Sequence, residues 1–335
     1  MSSSGTGPAL KPKDSPRTVT VPAEILLRLD PHELGFLPEG PTRWETNQFL
    51  WVGIQHGAQA KHGSLNFFDL RTNENRSITL SGRPGFVGLT NRPNTVVIGL
   101  ERRLVLFDLE TQSETLIVDD IDADVENTII NDGQCGPQGL TFGTKELSFS
   151  KPHAGLYWWP FPKGPLHRVR GDQTCSNGKV FLNATDDSVS LLDIDTPTQR
   201  VMRYELNPRD GSIQSESVVL DLSEEVGFPD GMIGTPDGAG VIIAFFNPEK
   251  AAYGRAKWID LATGETQMTW TTPGSPQVTC PLLIDTDEGV KLVLTTAAEN
   301  MSDEQLAANE NAACLFVGAT PFKAIAETPR FPIDM

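Results

Sequence analysis

Six stretches of this chain follow one plan, and that repetition limits the possible folds more than any other feature. Residues 63–72 run from an alternating apolar segment into a polar turn. Residues 103–111 repeat them closely, with Phe68-Asp69-Leu70-Arg71-Thr72 matched by Phe107-Asp108-Leu109-Glu110-Thr111. Residues 155–164, 200–211, 255–264 and 313–319 fill the same slot, giving six copies 40 to 58 residues apart. In most copies a second strand follows the turn, as at 114–118 and 267–270. A strand–turn–strand unit recurring every 40–50 residues or so is the trace that a β-propeller leaves in a sequence. One four-stranded blade cannot bury both of its faces, so blades pack radially and share a continuous core. Two β-sandwiches are the competing architecture, and they do not generate six like-patterned hairpins. The expected fold is therefore all-β, a six-bladed β-propeller over residues 18–335. An early strand within 18–27 closes the ring beside the last copy, and Pro22 marks it as an edge or irregular segment. The one helical signal is Ser302-Asp303-Glu304-Gln305, a capping box opening one or two turns inserted on one face.

Composition agrees with short strands and many turns: of 335 residues, 30 are Gly and 25 are Pro. The net charge of −17 argues against a nucleic-acid or anionic-membrane partner. Residues 1–17 are Ser, Gly, Pro and Lys with almost no apolar content, which reads as a disordered tail without a secretory h-region. No apolar run reaches the length needed to span a bilayer. The four cysteines, Cys135, Cys175, Cys280 and Cys314, form no CxxC pair and fit reduced thiols. The expected setting is cytoplasmic.

Chemistry is concentrated in four turns. Pro38-Glu39-Gly40-Pro41, Asn131-Asp132-Gly133, Ser176-Asn177-Gly178 and Pro229-Asp230-Gly231 each hold a short or acidic oxygen donor against Gly. Each alone is a turn former, since Asn and Asp bond their own backbone and Gly accepts positive φ. Their spacing is about that of one or two blades. In a propeller, corresponding positions on different blades point to the central channel, so Glu39, Asn131, Asn177 and Asp230 can meet at one axial metal. Two carboxylates and two amide carbonyls are hard donors suited to Ca²⁺, Mg²⁺ or Mn²⁺.

Other motifs fail. There is no Gly-x-Ser-x-Gly, HExxH or P-loop. The run from Asp120 begins like a calcium loop, but Val125 stands where Gly is required and Asn131 where a bidentate Glu is required. Asp122 and Asp124 are then expected to face solvent. The histidines do not cluster in sequence, and His56 and His62 bracket a surface turn.

The ordered motifs resemble the senescence-marker-protein/gluconolactonase/luciferin-regenerating-enzyme family. They are Leu37 to Pro41 with Trp44, Asn131-Asp132-Gly133 running to Gly139 and Phe142-Gly143-Thr144, Ser176-Asn177-Gly178, and Pro229-Asp230-Gly231-Met232. Pro276-Gln277-Val278-Thr279-Cys280 with 292–297 resembles the last-blade signature. The resemblance covers roughly residues 24–325. It implies a six-bladed propeller with one divalent metal in the central channel, held by Glu39, Asn177 and Asp230. It places Asn131 against substrate or, in organophosphatase-like relatives, on the metal itself. Members that hydrolyse sugar lactones tend to carry Arg two residues before that Asn; here the position is Ile129. Gly136 stands where Asp is common, and Phe142-Gly143-Thr144 comes one residue early.

The expected function is divalent-metal-dependent hydrolysis of lactones or related esters. The metal would polarise the carbonyl and hold the attacking water, Asp230 would act as general base, and Asn131 and Ile129 would contact substrate. Ile129 offers an apolar wall and so points to a less hydroxylated substrate. The expected cofactor is one divalent ion, Ca²⁺ first, with Mn²⁺, Zn²⁺ or Mg²⁺ as alternatives. The expected partner is a small-molecule substrate, with no nucleic acid or membrane, and the chain is a monomer or weak homodimer. Two other functions compete: organophosphate or phosphofluoridate hydrolysis at the same site, and a non-catalytic calcium- or ligand-binding propeller, favoured if the 302–311 insertion plugs the channel.

Overall fold

The structure, a computed structural model, describes residues 9–162 and 164–333, with the side chains of residues 16 and 17 left aside. Six sheets follow one another along the chain, each built of antiparallel strands laid down from the innermost outward, and the last two take their outermost strand from the N-terminal region. The innermost strands are Pro38–Glu45, Pro84–Leu89, Thr128–Cys135, Ser176–Ala184, Phe228–Gly234 and Val278–Thr286. They contact their neighbours in turn around a ring, and the last meets the first. We number the blades 1 to 6 from Pro38. The molecule is nearly all β and a six-bladed propeller.

The reason lies in the apolar pattern. The second strands, such as Thr95–Leu100 and Gly240–Phe246, are buried along almost their whole length because both faces meet a neighbouring blade. Outermost strands such as Glu74–Thr79 alternate and face water on one side. Among the described residues an apolar cluster lies at each of the six blade interfaces, with a small seventh around Ala298, Ala312 and Ala313. Phe86, Val97 and Leu104 of blade 2 meet Ile130, Leu140 and Phe142 of blade 3, for example. Phe49, Trp51 and Phe68 of blade 1 meet Leu282, Ile284 and Val293 of blade 6, where the ring closes.

The N-terminal region departs from expectation. The closing segment is two strands, not one. Glu24–Leu27 pairs antiparallel with Leu315–Ala319 and completes blade 6, as expected of it. Lys13–Pro22 instead lies parallel to Glu265–Pro273 as a fifth strand of blade 5, with Pro22 at its end. Residues 1–17 are therefore not a tail throughout. Leu10 bridges Leu220 and packs on the blade 4–5 cluster, and the strand begins at Lys13. Backbone pairing holds this segment where its side chains give little apolar burial, which is why composition missed it. Residues 1–8, the rest of the expected tail, lie outside the described residues.

The inserted helix is present as Asp303–Ala308, with both halves of the capping box formed between Ser302 and Gln305. Asp122 corrects another expectation. It is buried, and accepts hydrogen bonds from Tyr157 Oη and Thr144 Oγ1, both at 2.5 Å, so it is part of the packing of blade 3. Asp124 does lie at the surface, paired with Arg168 at 2.9 Å.

Candidate active site

Each of the six innermost strands slips register near its start, at Glu39/Thr42, Pro84/Phe86, Ile130/Asp132, Asn177/Val180, Pro229/Met232 and Val278/Pro281. A bulge bends a strand and re-aims a side chain, and bulges gather beside active sites. Here they sit at equivalent heights around one axis. Gly40 and Gly178, at φ +50° and +45°, make two of them possible. A Cβ on Gly178 would also lie 2.7 Å from the Met232 Cβ and 2.8 Å from the Asp230 carbonyl. The Gly in these turns thus lets adjacent inner strands approach closely.

The bulges bring Glu39, Asn131, Asn177 and Asp230 together on the wall of one cavity of about 390 Å³, at the end of the channel where the inner strands begin. Residues one or two places further on, Gly40 to Arg43, Asp132 to Cys135, Lys179 and Met232 to Pro236, line a separate cavity of about 280 Å³. Asn131 and Asp132 are neighbours in sequence and serve different cavities.

The two amides are ordered by the fold. Asn131 Nδ2 donates to Asn177 Oδ1 at 2.7 Å and to the Ser176 carbonyl at 3.1 Å. Asn177 Nδ2 donates to Thr196 Oγ1 at 2.8 Å, and that hydroxyl donates to the Pro229 carbonyl at 2.9 Å. Blades 3, 4 and 5 are thereby linked through one chain of polar groups. The Asn131 Oδ1 accepts no hydrogen bond among the described residues.

The carboxylates are the opposite case. Glu39 accepts only from the Gly40 backbone N–H, at 2.9 Å, and Asp230 has no hydrogen bond or ion pair among the described residues although its side chain is buried. Burial pushes Glu39 up to about 8, and Asp132 and Glu299 add to it while the Gly40 N–H and Lys145 pull the other way. Asp230 is raised well above the carboxylate range by burial and then by the nearby Glu39. Glu39 retains some exposed area while its carboxyl is enclosed, so enclosure of the charged atoms governs its acidity.

Two buried, like-charged carboxylates with uncommitted oxygens and a pinned amide carbonyl are a donor set that fits a hard divalent cation. Among the described residues no cluster of three or more His, Cys, Asp or Glu could hold a metal. The candidate set has two carboxylates, and Asn supplies the rest. Cys175 lines the same cavity, but burial holds its thiol well above the usual range, so it is not a nucleophile.

Ile129 is placed differently from expectation. It is buried, 2% exposed, directly across the strand pair from Lys145, and is not among the cavity's lining residues. Lys145 is. Its residue is 8% exposed, and its ammonium has no ion pair or hydrogen bond among the described residues. The cavity therefore has a basic side chain beside position 129, but from the neighbouring strand. The apolar surface comes from elsewhere: Leu37 and Ile54 below, and Phe149, Phe228, Phe246, Pro197 and Pro248 above. Lys145 follows Phe142-Gly143-Thr144 directly and faces Ile129, so a correct strand pairing would have found it. Phe149 and Phe228 belong to no motif, and Glu299 reaches the site from a turn. His56 stands apart, its Nε2 2.9 Å from Ser64 Oγ.

Comparison with known proteins now decides the family. The model of the SMP-30/gluconolactonase/LRE-like region matches residues 37–298. The chain belongs to this family. Among its relatives is a Bacillus subtilis protein provisionally named sugar lactone lactonase YvrE, 27% identical over 281 residues, covering 83% of this chain and 89% of that protein. The L-arabinolactonase of Azospirillum brasilense is 25% identical over 305 residues, covering 88% and 92%. Among solved structures, the calcium-binding protein regucalcin of Agrobacterium tumefaciens superimposes with a TM-score of 0.77 at 21% identity, covering 94% of this chain and 100% of that one. The family match begins at Leu37, just before Glu39, and includes all four site turns.

Proposed function

We propose that this SMP-30/gluconolactonase-like protein is a divalent-metal-dependent hydrolase of lactones or related esters. Glu39, Asn177 and Asp230 would hold the cation, Ca²⁺ first, with Mn²⁺, Zn²⁺ or Mg²⁺ as alternatives. The observation that carries this reading is the pair of buried carboxylates, Glu39 and Asp230, open to one cavity beside the Asn131–Asn177 amide pair and without a basic partner in contact. The lactonase relatives support the reaction class, and regucalcin supports the cation.

A bound divalent cation would supply Lewis-acid polarisation of the ester carbonyl. The residues of the chain do the rest. Asp230 takes the proton from the attacking water, a role open to a carboxylate that faces the cavity without a hydrogen-bond partner among the described residues. Water oxygen bonds to the carbonyl carbon, the ring C–O bond breaks, and the departing alkoxide takes a proton to give the hydroxy acid. Asn131 offers Oδ1 as an acceptor for a substrate hydroxyl, since Nδ2 is committed to Asn177 and Ser176. Lys145 supplies a donor at the wall.

Hydrolysis of lactones, aryl esters and phosphotriesters, after chelation and re-addition of each metal, tests the proposal. Lactone turnover restored by metal is the expected result. Absence of any rate with any metal overturns it in favour of a binding protein. A second reading, phosphotriester or phosphofluoridate hydrolysis, is favoured by one feature: Asn131 Oδ1 is free beside an apolar mouth. The 302–311 insertion does not line the cavity; it packs at the rim, with Gln305 Nε2 donating to the Pro248 carbonyl at 2.9 Å.

A further inference from the structure

The turn after Lys145 carries an unusual residue. Phe149 has φ +51°, the left-handed region that a bulky side chain rarely adopts, and the residue is 53% exposed while lining the mouth of the proposed metal-site cavity. Such strain persists only where the surroundings over-determine it. Here the surroundings are one carboxylate. Glu146, buried at the end of its strand, accepts from Asn127 Nδ2 and Ser148 Oγ at 2.6 Å each and from the Ser148 N–H at 3.1 Å on Oε1. Its Oε2 accepts from the Ser150 N–H at 2.7 Å and Ser150 Oγ at 3.4 Å. The Phe149 N–H closes the turn on the Glu146 carbonyl at 3.1 Å. The carboxylate grips the residues on both sides of Phe149 and leaves the ring with no packing role in the core. Phe228, 40% exposed, stands on the inner strand of blade 5 at the same mouth, with Phe246, Pro197 and Pro248 between. The cavity thus has polar donors on its inner wall and aromatic side chains at its mouth.

We infer that Phe149, held over the mouth by Glu146, is a specificity-determining residue that packs against a hydrocarbon substituent of the substrate, so that the preferred lactone carries an alkyl or aryl group rather than a ring of hydroxyls. This rests on the proposed lactone site and names the substrate class it takes. The polar wall binds the ester group, common to every lactone. The mouth meets whatever the ring carries, and exposed aromatic surface gains by covering apolar groups. Glu146 acts as a positioning residue, since it reaches the mouth only through the turn.

Two lactones of the same ring size are compared, one with a hydrocarbon chain of about six carbons and one polyhydroxylated, together with the alkyl lactam as a non-hydrolysed binding probe. In the wild type the alkyl lactone has the higher kcat/KM. In Phe149→Ala the ratio of the two kcat/KM values falls about tenfold, mostly through KM, and the Kd of the lactam rises about tenfold. Phe149→Leu restores at least part of both. Glu146→Gln lowers the ratio in the same direction with the ring still present, again through KM. Equal losses on both lactones, or an unchanged lactam Kd in Phe149→Ala, overturn the inference. If the wild type hydrolyses neither lactone, the hydrolase reading fails, and the lactam affinities still decide the role of Phe149. No lactam binding by the wild type overturns it as well.

Discussion

Asn131 donates its side-chain N–H to the Asn177 carbonyl oxygen over 2.7 Å, joining residues 46 apart in the chain. That bond fixes which end of each amide faces the cavity. Asn177 presents an oxygen held by one donor and, through Thr196, cannot turn its nitrogen inward. Asn131 presents its own free oxygen. In Asn131→Ala, Asn177 loses its donor and its fixed orientation, a loss worth about 1 kcal/mol. Calorimetric titration with Ca²⁺ should show affinity reduced roughly three- to tenfold, against more than about a hundredfold for Glu39→Gln. A loss for Asn131→Ala as large as that for Glu39→Gln would put its oxygen on the metal and favour the phosphotriester reading.

The metal-free protein should be destabilised by rising pH. Burial raises the folded value of Glu39 to about 8, from 4.5. The folded state therefore binds the proton more tightly than the unfolded chain, and the stabilisation is complete below 4.5 and lost as pH rises through 8. Chelated protein should show a melting temperature that declines across this window. In Glu39→Gln that decline is reduced. Saturating divalent cation should flatten it too, because the cation replaces the proton. A melting temperature independent of pH between 5 and 8 in the chelated wild type would refute the account of these carboxylates.

Lys145 would compete with a bound cation for the same field, since its charge lowers the proton affinity of both Glu39 and Asp230. Replacing it by Met keeps the bulk and removes the charge. We expect Lys145→Met to bind Ca²⁺ at least about tenfold more tightly, a gain of about 1.4 kcal/mol or more. Titration at two salt concentrations checks it, and weaker binding in the variant would show that Lys145 supports the site instead.

Glu146 makes a separate stability prediction of the opposite sign. Burial raises its proton affinity, but the bonds from Ser148, Ser150 and Asn127 outweigh burial and hold it down to about 2, from 4.5. A depressed folded value stabilises above 4.5, and the contribution is lost as pH falls through 2. Glu146→Gln should cost on the order of 2–3 kcal/mol at neutral pH in denaturant unfolding, a difference that shrinks toward zero in acid. A variant as stable as the wild type at pH 7 would show that these short bonds add nothing.

The sequence by itself determined the repeat and therefore the ring. Six strand–turn–strand copies with apolar second strands can bury their faces only against one another, and the interblade clusters are the result. It also pointed to Glu39, Asn131, Asn177 and Asp230, each within two residues of a Gly, as oxygen donors that could converge, and the four do line one cavity. What tertiary structure decided is direction and pairing. Asn131 and Asp132 part to different cavities because a register slip falls between Ile130 and Asp132. Ile129, read as a wall, is buried across from Lys145, and which residue opposes it depends on strand register, which spacing along one strand does not contain. Leu10, Lys13 and Asp14 pair with blades 4 and 5 through backbone groups, which every residue type but proline offers. The aromatic mouth at Phe149 and Phe228 is assembled from a loop and a strand end 79 residues apart in sequence. Only the closing of the ring brings them to one opening.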